Sequence, residues 1–175
     1  LMPPHQAFLC FLRSPYPHAR IVSTDVTAAR AMPGVLQVLT GADLVAAGVQ
    51  PIPGVAGFVR ADGSAGATPP RRPLAHERVR FVGEAVAAIV AQTLKQARDA
   101  AEAIVIDYEE LAMAVTLADA TGAGAPVLCD AAPDNISAEM RHGDAAATTA
   151  AFAKAKHVVQ LEVTNQRVAA LTLEP

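Results

Sequence analysis

The chain has 175 residues, of which 52% are apolar, and a formal net charge of −3. This length fits one domain, or one domain with part of another, and allows about 70% of the unfolded surface to be buried. The sequence has no cluster of basic residues that would predict a nucleic-acid partner. No apolar run approaches the ~20 residues that span a bilayer. Aromatic residues make up 4% and Trp is absent, so Val, Ile, Leu and small residues must build the core.

The first residues and the two cysteines bear on the cellular compartment. Residues 1–5 lack the charged and apolar regions of a signal peptide, so we expect a cytoplasmic protein. A periplasmic location stays open because the chain does not begin with Met. Cys10 and Cys129 lie far apart and form no Cys-x-x-Cys motif, which predicts two reduced thiols rather than a zinc or iron–sulfur site.

Short elements are predicted in the first half of the chain. Apolar runs predict strands at residues 7–12, 19–24 and 35–39. Two prolines make residues 13–18 a rigid turn. Asp25 can cap a short helix that runs to Met32, and Thr40 can cap a second helix over residues 42–47.

A long loop is predicted next, at residues 48–73. It contains five glycines and five prolines and few large apolar residues, so it cannot build a core. One hypothesis for such a loop is contact with a partner. Arg71 and Arg72 at its end are interpreted as a solvated turn.

A strand, a helix and a second strand are predicted between residues 79 and 111. Residues 86–91 are almost continuously apolar, which indicates a strand buried on both faces, and Gly83 before them indicates a bulge or bend. Thr93 can cap the helix, with Gln96 completing a capping box. The helix residues expected to face the sheet are Leu94, Ala97, Ala101 and Ile104. If the two strands are parallel neighbours, their crossover should be right-handed.

The last third of the chain predicts a surface segment and then two elements. Glycines and prolines interrupt residues 111–134, which is typical of a linker. Asp144 can cap a helix over residues 145–156. Alternation predicts a strand at residues 157–164, and we expect residues 166–173 to continue the extended chain.

The sequence shows no self-contained catalytic motif. Ser14 and His18 lie four residues apart in the proline-rich turn, where hydrogen bonding within the turn is the preferred interpretation over a nucleophile and base. Glu109 and Glu110 adjoin a strand end and should point to opposite faces. Glu84 follows Gly83 in an apolar run, so we expect it to be the carboxylate that loses most solvent and has the most shifted pKa. The favoured role is a structural hydrogen bond to a neighbouring strand or loop.

Metal and phosphate motifs are also missing. The five histidines, His5, His18, His76, His142 and His157, show no His-x-x-x-His pairing, which argues against a metal site made by this chain alone. The glycine-containing stretches at residues 63–66 and 122–124 are too short for phosphate loops and do not lie between a strand and a helix.

Four motifs nevertheless occur in a fixed order. They are RSPYPHARI at residues 13–21, MPGV and TGAD within residues 32–43, VRFVGEAVA at residues 79–87, and residues 97–102 together with DYEEL at residues 107–111. Together they resemble the large subunit of the molybdenum hydroxylases, the family of xanthine dehydrogenase, aldehyde oxidase and aerobic carbon monoxide dehydrogenase. Ala85 and Ala112 stand where many members have proline, which leaves the resemblance intact.

The resemblance implies an α+β fold. Residues 1–118 would form an α/β hammerhead domain, a mixed sheet with packed helices, in which Gly83 and Glu84 form the bend of a long strand. Residues 119–136 would be a linker, and residues 137–175 an incomplete start of the molybdenum-cofactor-binding domain. The family's molybdenum-contacting glutamine and base glutamate lie further downstream. The resemblance therefore implies no catalytic residue and no metal ligand in this chain and leaves the cofactor-contacting residues unknown.

The resemblance also implies cofactors and partners. The parent enzyme would hold a molybdopterin-type molybdenum cofactor, with iron–sulfur and FAD groups on partner subunits or domains, whereas the 175-residue chain would hold none. The partners would be the remaining molybdopterin-binding domains of the same polypeptide and the iron–sulfur and flavin subunits. Exposed apolar surface would favour self-association of the isolated chain.

Three hypotheses follow for function. The first is a structural part of a molybdenum-dependent oxidoreductase that is inactive alone. The second is a free-standing hammerhead-like module that binds a partner or small ligand without redox chemistry, which the long loop at residues 48–73 motivates. The third is a hydrolase that uses Ser14 and His18.

Overall fold

Two three-stranded sheets form the frame of the protein in a computed structural model that describes residues 3–54, 57–163 and 165. The strands are β1 (Phe8–Arg13), β2 (Ala19–Asp25), β3 (Val35–Thr40), β4 (Arg78–Val79), β5 (Ala85–Ala91) and β6 (Val105–Glu110). The first sheet has the order β1-β5-β3 and the second the order β4-β2-β6, and all of these pairings are antiparallel. The α+β fold and the strands predicted in the first half are confirmed.

The helices begin where the sequence offers a cap. They are α1 (Thr27–Arg30), α2 (Gly41–Ala46), α3 (Leu94–Glu102), α4 (Leu117–Thr121) and α5 (Ala145–Lys154). Thr40 caps α2 and Asp144 caps α5, as predicted, and Asp43 completes a capping box at α2 that was not predicted. For α1 the N-cap is Val26, while the Asp25 carboxylate accepts a hydrogen bond from the Thr27 N–H at 2.8 Å. The sequence analysis did not predict α4.

The chain divides into two compact units, Leu1–Met140 and Arg141–Pro175. The first unit contains both sheets and the helices α1 to α4. In the second unit, α5 is the element of regular structure among the described residues. No helix in the described part of the chain is long and apolar enough to cross a membrane.

Strand β5 is the centre of the main core. It lies between β1 and β3, and Ala87, Ile89 and Ala91 point toward α3. The facing residues of α3 are alanines as well, Ala97, Ala100 and Ala101. Small side chains on both elements let the helix approach the sheet closely, so a core forms with few large residues.

A second core lies under the β4-β2-β6 sheet. It is built from Ala19, Ala75, Val79 and Val86, with the rings of Tyr16 and Tyr108 packed against it. The two rings have centroids 5.0 Å apart and are tilted by 51°, an arrangement in the favourable range for aromatic pairs. Leu12 and Ile106 contact both cores and so connect the two sheets.

The stretch at residues 79–111 passes between the sheets. Strand β4 belongs to one sheet and β5 to the other, and the bend between them contains Gly83, as predicted. Strands β5 and β6 also lie in different sheets, so α3 does not connect parallel neighbours. The handedness rule for parallel crossovers therefore does not apply here.

The predicted buried face of α3 needs one correction. Ala97, Ala101 and Ile104 are buried as predicted, but Leu94 is 38% exposed. Leu94 is the first residue of the helix, and the buried stripe begins one turn later and includes Ala100. Thr93 caps the helix by accepting from the Gln96 N–H at 3.2 Å, and its hydroxyl donates to Gln96 Oε1, so the predicted reciprocal bond to the backbone is replaced.

The prediction for residues 157–164 is wrong where the structure describes it. Residues 157–163 form no strand, and all of them are exposed. Alternation gives a strand one apolar face, but a strand is stable only beside a hydrogen-bonded neighbour. Helix α5 ends at Lys154 rather than at residue 156. The prediction for residues 166–173 lies outside the described residues.

The loop at residues 48–73 contains isolated bridges but no strand or helix in its described part. It is held at defined points. The Arg60 side chain pairs with Asp134 and hydrogen-bonds to the Ile136 carbonyl. The Ala67 N–H donates to Ser137 O at 2.8 Å. The loop is thus ordered by contacts to distant residues, which local composition does not encode.

Candidate functional site

The first and third family-like motifs meet in space. The turn after β1 and the bend before β5 form a pair of backbone hydrogen bonds, Ser14 N–H to Glu84 O and Gly83 N–H to Ser14 O, both 2.8 Å long. Arg13 adds a third bond from Nη1 to Gly83 O at 2.8 Å. A register shift between Leu12 and Arg13 marks the end of the regular β1–β5 pairing.

This junction presents apolar side chains to solvent. Phe81 and Val82 in the bend are 58% and 63% exposed, and Gly83 has a φ of +89°. The Arg13 guanidinium lies 5.8 Å from the Phe11 ring centroid, within range of a cation–π contact. Arg13 thereby connects the bend to the exposed face of β1.

Ser14 and His18 are buried but do not form a catalytic pair. The Ser14 hydroxyl accepts from the Tyr16 N–H at 3.0 Å and lies 3.1 Å from Tyr16 O. His18 Nδ1 lies 2.6 Å from Ala112 O, so it must be the donor. A general base must reach its nucleophile by a hydrogen bond, and no such bond joins these two side chains in the described structure. The Ser14 bonds to Tyr16 match the predicted hydrogen bonding within the turn, whereas His18 bonds outside the turn, to a residue 94 positions away.

The hydroxyl of Tyr108 also belongs to this buried cluster. Burial raises the pKa of Tyr108, and a hydrogen bond with Ser14 opposes part of that effect. His18 Nε2 is buried and has no hydrogen-bond partner among the described residues. These groups give the junction a polar interior.

Glu84 has a structural environment. Its Oε2 accepts a hydrogen bond from the Arg80 N–H at 2.6 Å. Burial raises the pKa of Glu84, and that hydrogen bond together with the Arg80 charge opposes the rise. The carboxylate closes the Phe81–Gly83 bend, which agrees with the role favoured from the sequence. Glu109 pairs with Arg20 across β2 and β6 at 3.2 Å.

The remaining polar candidates do not converge. Cys10 and Cys129 are free thiols. Across residues 3–54, 57–163 and 165, no group of three or more His, Cys, Asp or Glu side chains could hold a metal ion.

One polar cluster was missed from the sequence. Two open cavities of about 270 Å³ and 330 Å³ share His76, Glu77 and Arg80 as lining residues. Arg78 and Arg80 are two residues apart on an extended segment, so their side chains lie on the same side. That spacing was the available signal, but the sequence alone did not show that Arg72 lines the first cavity with Arg80, or that Arg20 lines the second cavity with Arg78 and Arg80.

Comparisons with known proteins agree with the fold. Residues 2–112 match the family described as aldehyde oxidase and xanthine dehydrogenase, a/b hammerhead domain. The carbon monoxide dehydrogenase large chain of Afipia carboxidovorans is 36% identical over 183 residues, which cover 98% of this chain and 21% of that protein. The nicotine 6-hydroxylase large subunit of Paenarthrobacter nicotinovorans is 36% identical over 171 residues, which cover 97% of this chain and 20% of that protein.

Solved structures give the same result. Reconstituted CO dehydrogenase from Oligotropha carboxidovorans superposes with a TM-score of 0.73 at 33% identity, over 90% of this chain and 20% of that one. Quinoline 2-oxidoreductase from Pseudomonas putida 86 gives a TM-score of 0.53 at 41% identity, over 63% of this chain and 13% of that one. The chain spans about a fifth of the length of the first curated relatives. It belongs to the aldehyde oxidase and xanthine dehydrogenase family and contains that family's α/β hammerhead domain.

Proposed function

We propose that the chain is part of the large, molybdopterin-binding subunit of a molybdenum-dependent oxidoreductase and serves there as a structural domain. The parent enzyme would hydroxylate an aldehyde, an N-heterocycle or a similar carbon centre, with water as the oxygen source. Electrons would pass to iron–sulfur and flavin groups on partner subunits or domains. The observation that carries the proposal is the match of residues 2–112 to the hammerhead domain of this family.

The length of the relatives supports the proposal that this chain corresponds to one part of a larger subunit. The chain covers 21% of the carbon monoxide dehydrogenase large chain and 20% of the nicotine 6-hydroxylase large subunit. We propose that residues 1–118 form the hammerhead domain, residues 119–136 a linker and residues 137–175 the start of the cofactor-binding domain. The catalytic and cofactor-contacting residues would then lie outside this chain, which would be inactive alone and function in the cytoplasm.

The exposed face of the first sheet supports this role. Cys10 and Leu12 of β1 pack into the core toward α3. Strand side chains alternate between faces, so Leu9 and Phe11 point the other way, and they are 51% and 41% exposed. Large apolar side chains on a regular sheet face are typical of a surface that another domain covers. We propose that the cofactor-binding domains of the same polypeptide cover it.

The experiment compares two lengths of the same protein. The 175-residue chain and the product of any longer reading frame are purified under conditions that permit cofactor insertion. We expect stoichiometric molybdenum by elemental analysis, and dye-coupled oxidation of aldehydes or N-heterocycles, for the longer protein alone. One molybdenum per purified 175-residue chain would contradict the proposed placement of the site.

The alternative is a free-standing module that binds a partner or small ligand without redox chemistry. The gene sequence downstream of Pro175 distinguishes it from the oxidoreductase proposal. The ordering of the loop at residues 48–73 through Arg60 and Asp134 favours a defined surface there. A stop codon directly after Pro175 would support this alternative. Several hundred further codons would refute it.

A further inference from the structure

A strained turn lies between the two cavities of the first unit. Glu77 has a φ of +66°, and the Arg78 N–H donates to His76 O at 2.8 Å. Such a three-residue γ-turn with positive φ at its centre is rare, and it is strained when the central residue has a side chain. Strain of this kind persists only where the surrounding structure imposes it, and it is concentrated at ligand-binding sites.

The surroundings hold this turn from three sides. The Ala75 N–H donates to Ala85 O and the Ile21 N–H donates to Glu77 O, both at 2.8 Å. On the third side, Gly41 lies so close that a Cβ atom there would be 2.0 Å from Ala75 O. Residues 75–77 are therefore fixed between β5, β2 and the start of α2, and they position the cavity walls.

Guanidinium groups dominate the cationic lining of the cavities. Arg72 and Arg80 line the first cavity, and Arg20, Arg78 and Arg80 line the second. Arg20 is paired with Glu109. The side chains of Arg72 and Arg78 make no hydrogen bond or ion pair with any residue that the structure describes. Their donors are available to a ligand.

The cavities also contain carboxylates, and their partners matter. Glu77 lies 3.5 Å from His76 Nε2, and its side chain is 81% exposed, so it can turn toward solvent. The Glu84 carboxylate accepts the Arg80 N–H at 2.6 Å. Burial raises its pKa, whereas that hydrogen bond and the nearby Arg80 charge oppose the rise, so Glu84 is engaged with Arg80 at the wall of the first cavity. Asp130 also lines the second cavity and would oppose an anion there.

We propose that the two cavities form one binding site for a small oxyanion, a phosphate or carboxylate group, held by the side chains of Arg78 and Arg80 with Arg72 at the rim. The planar guanidinium group donates two parallel hydrogen bonds to such oxygens, which gives both attraction and orientation. Combined volumes of a few hundred Å³ suit a small ligand rather than a polymer. The site does not depend on the proposed oxidoreductase role.

The test is titration calorimetry of the full 175-residue chain with inorganic phosphate and, separately, with acetate at constant ionic strength. Three proteins are compared: the parent, Arg80→Gln and the control Arg98→Gln. Arg98 is an exposed residue of α3 that lines neither cavity. Circular dichroism verifies that each variant keeps its fold, and Arg78→Gln replaces Arg80→Gln if the latter unfolds.

We expect saturable binding of at least one of the two anions, weakened at least tenfold by Arg80→Gln and changed less than twofold by Arg98→Gln. Saturation by phosphate identifies a phosphate site, and saturation by acetate alone identifies a carboxylate site. Asp130→Asn should strengthen binding severalfold because it removes the opposing charge. No saturable binding of either anion, or equal weakening by Arg80→Gln and Arg98→Gln, would overturn the proposal.

Discussion

Three Gly→Ala substitutions separate the reasons for which this fold uses glycine. At Gly41 a new Cβ would meet the backbone of Ala75, 2.0 Å from its oxygen and 2.7 Å from its carbonyl carbon. At Gly83 nothing lies within 4 Å, but φ is +89°. At Gly57 nothing lies within 4 Å either, and φ is outside the left-handed region. A side chain is therefore excluded by a steric clash at Gly41, disfavoured by backbone conformation at Gly83, and opposed by neither effect at Gly57.

The magnitudes follow from these differences. Gly41→Ala must move the backbone of residues 75–76, which the hydrogen bond from Ala75 to Ala85 holds, so we expect a loss of about 3 kcal/mol in unfolding free energy. Gly83→Ala places a side chain in a left-handed conformation and should cost about 1–2 kcal/mol. Gly57→Ala should stay within about 0.5 kcal/mol of the parent.

Urea denaturation followed by circular dichroism measures all three, because these losses are a large part of a typical stability of about 5–15 kcal/mol. The slope with denaturant should be unchanged, so that midpoints report stability. If Gly41→Ala costs no more than Gly57→Ala, the packing of α2 against residues 75–77 is not as rigid as inferred. If Gly83→Ala is neutral, the bend at Gly83 tolerates a side chain and the strain reasoning fails.

The remaining predictions concern the core, a helix cap, acid stability and the exposed sheet face. Ile89→Ala removes a fully buried side chain and should cost about 2–5 kcal/mol, whereas Val105→Ala, 61% exposed, should change stability by less than about 0.5 kcal/mol in the same urea assay. Thr93→Ala should lower stability by about 1 kcal/mol, because it deletes the N-cap of α3; a neutral result would contradict the cap. Hydrogen bonds from Thr40 hold the pKa of Asp43 below its ordinary 3.8. The ionised Asp43 carboxylate therefore stabilises the fold above pH 3.8, and this stabilisation is lost as the pH falls through the lower pKa of the folded state. Asp43→Asn should flatten this part of the acid-denaturation profile. The isolated chain should sediment as a dimer or larger species, and Phe11→Gln should shift it toward monomer more than Val105→Gln does; strictly monomeric parent protein would refute this.

Most helices and strands could be predicted because the residues that specify each of them are close together in the sequence. Thr40 and Thr93 lie directly before their helices and cap them as predicted. The apolar run of β5 predicted burial on both faces, and that strand is the central one of its sheet. Each prediction depended on residues within one turn of helix or one strand length, which is the range over which sequence patterns act.

The candidate sites could be predicted from the sequence only in part. The roles predicted for Ser14 and Glu84 agree with the hydrogen bonds that they make. The two cavities, one lined by Arg72 and Arg80 and the other by Arg78 and Arg80, were not predicted, because the arginines come from the loop and from β4 and the residue after it, and only the folded chain brings these segments together. Leu94 and the expected strand at residues 157–164 failed for a related reason: periodicity predicts an apolar face but not which part of that face finds a partner.

The sequence by itself determined the family, through four ordered motifs, and the identity and start of most helices and strands. Tertiary structure decided that the stretch at residues 79–111 does not form one parallel unit but passes from one sheet to the other at Gly83. It also decided that Arg13 and Ser14 hold that bend, through bonds between residues about 70 positions apart. Such contacts depend on how strands pair across the whole chain, and strand pairing is a long-range property that no local pattern encodes.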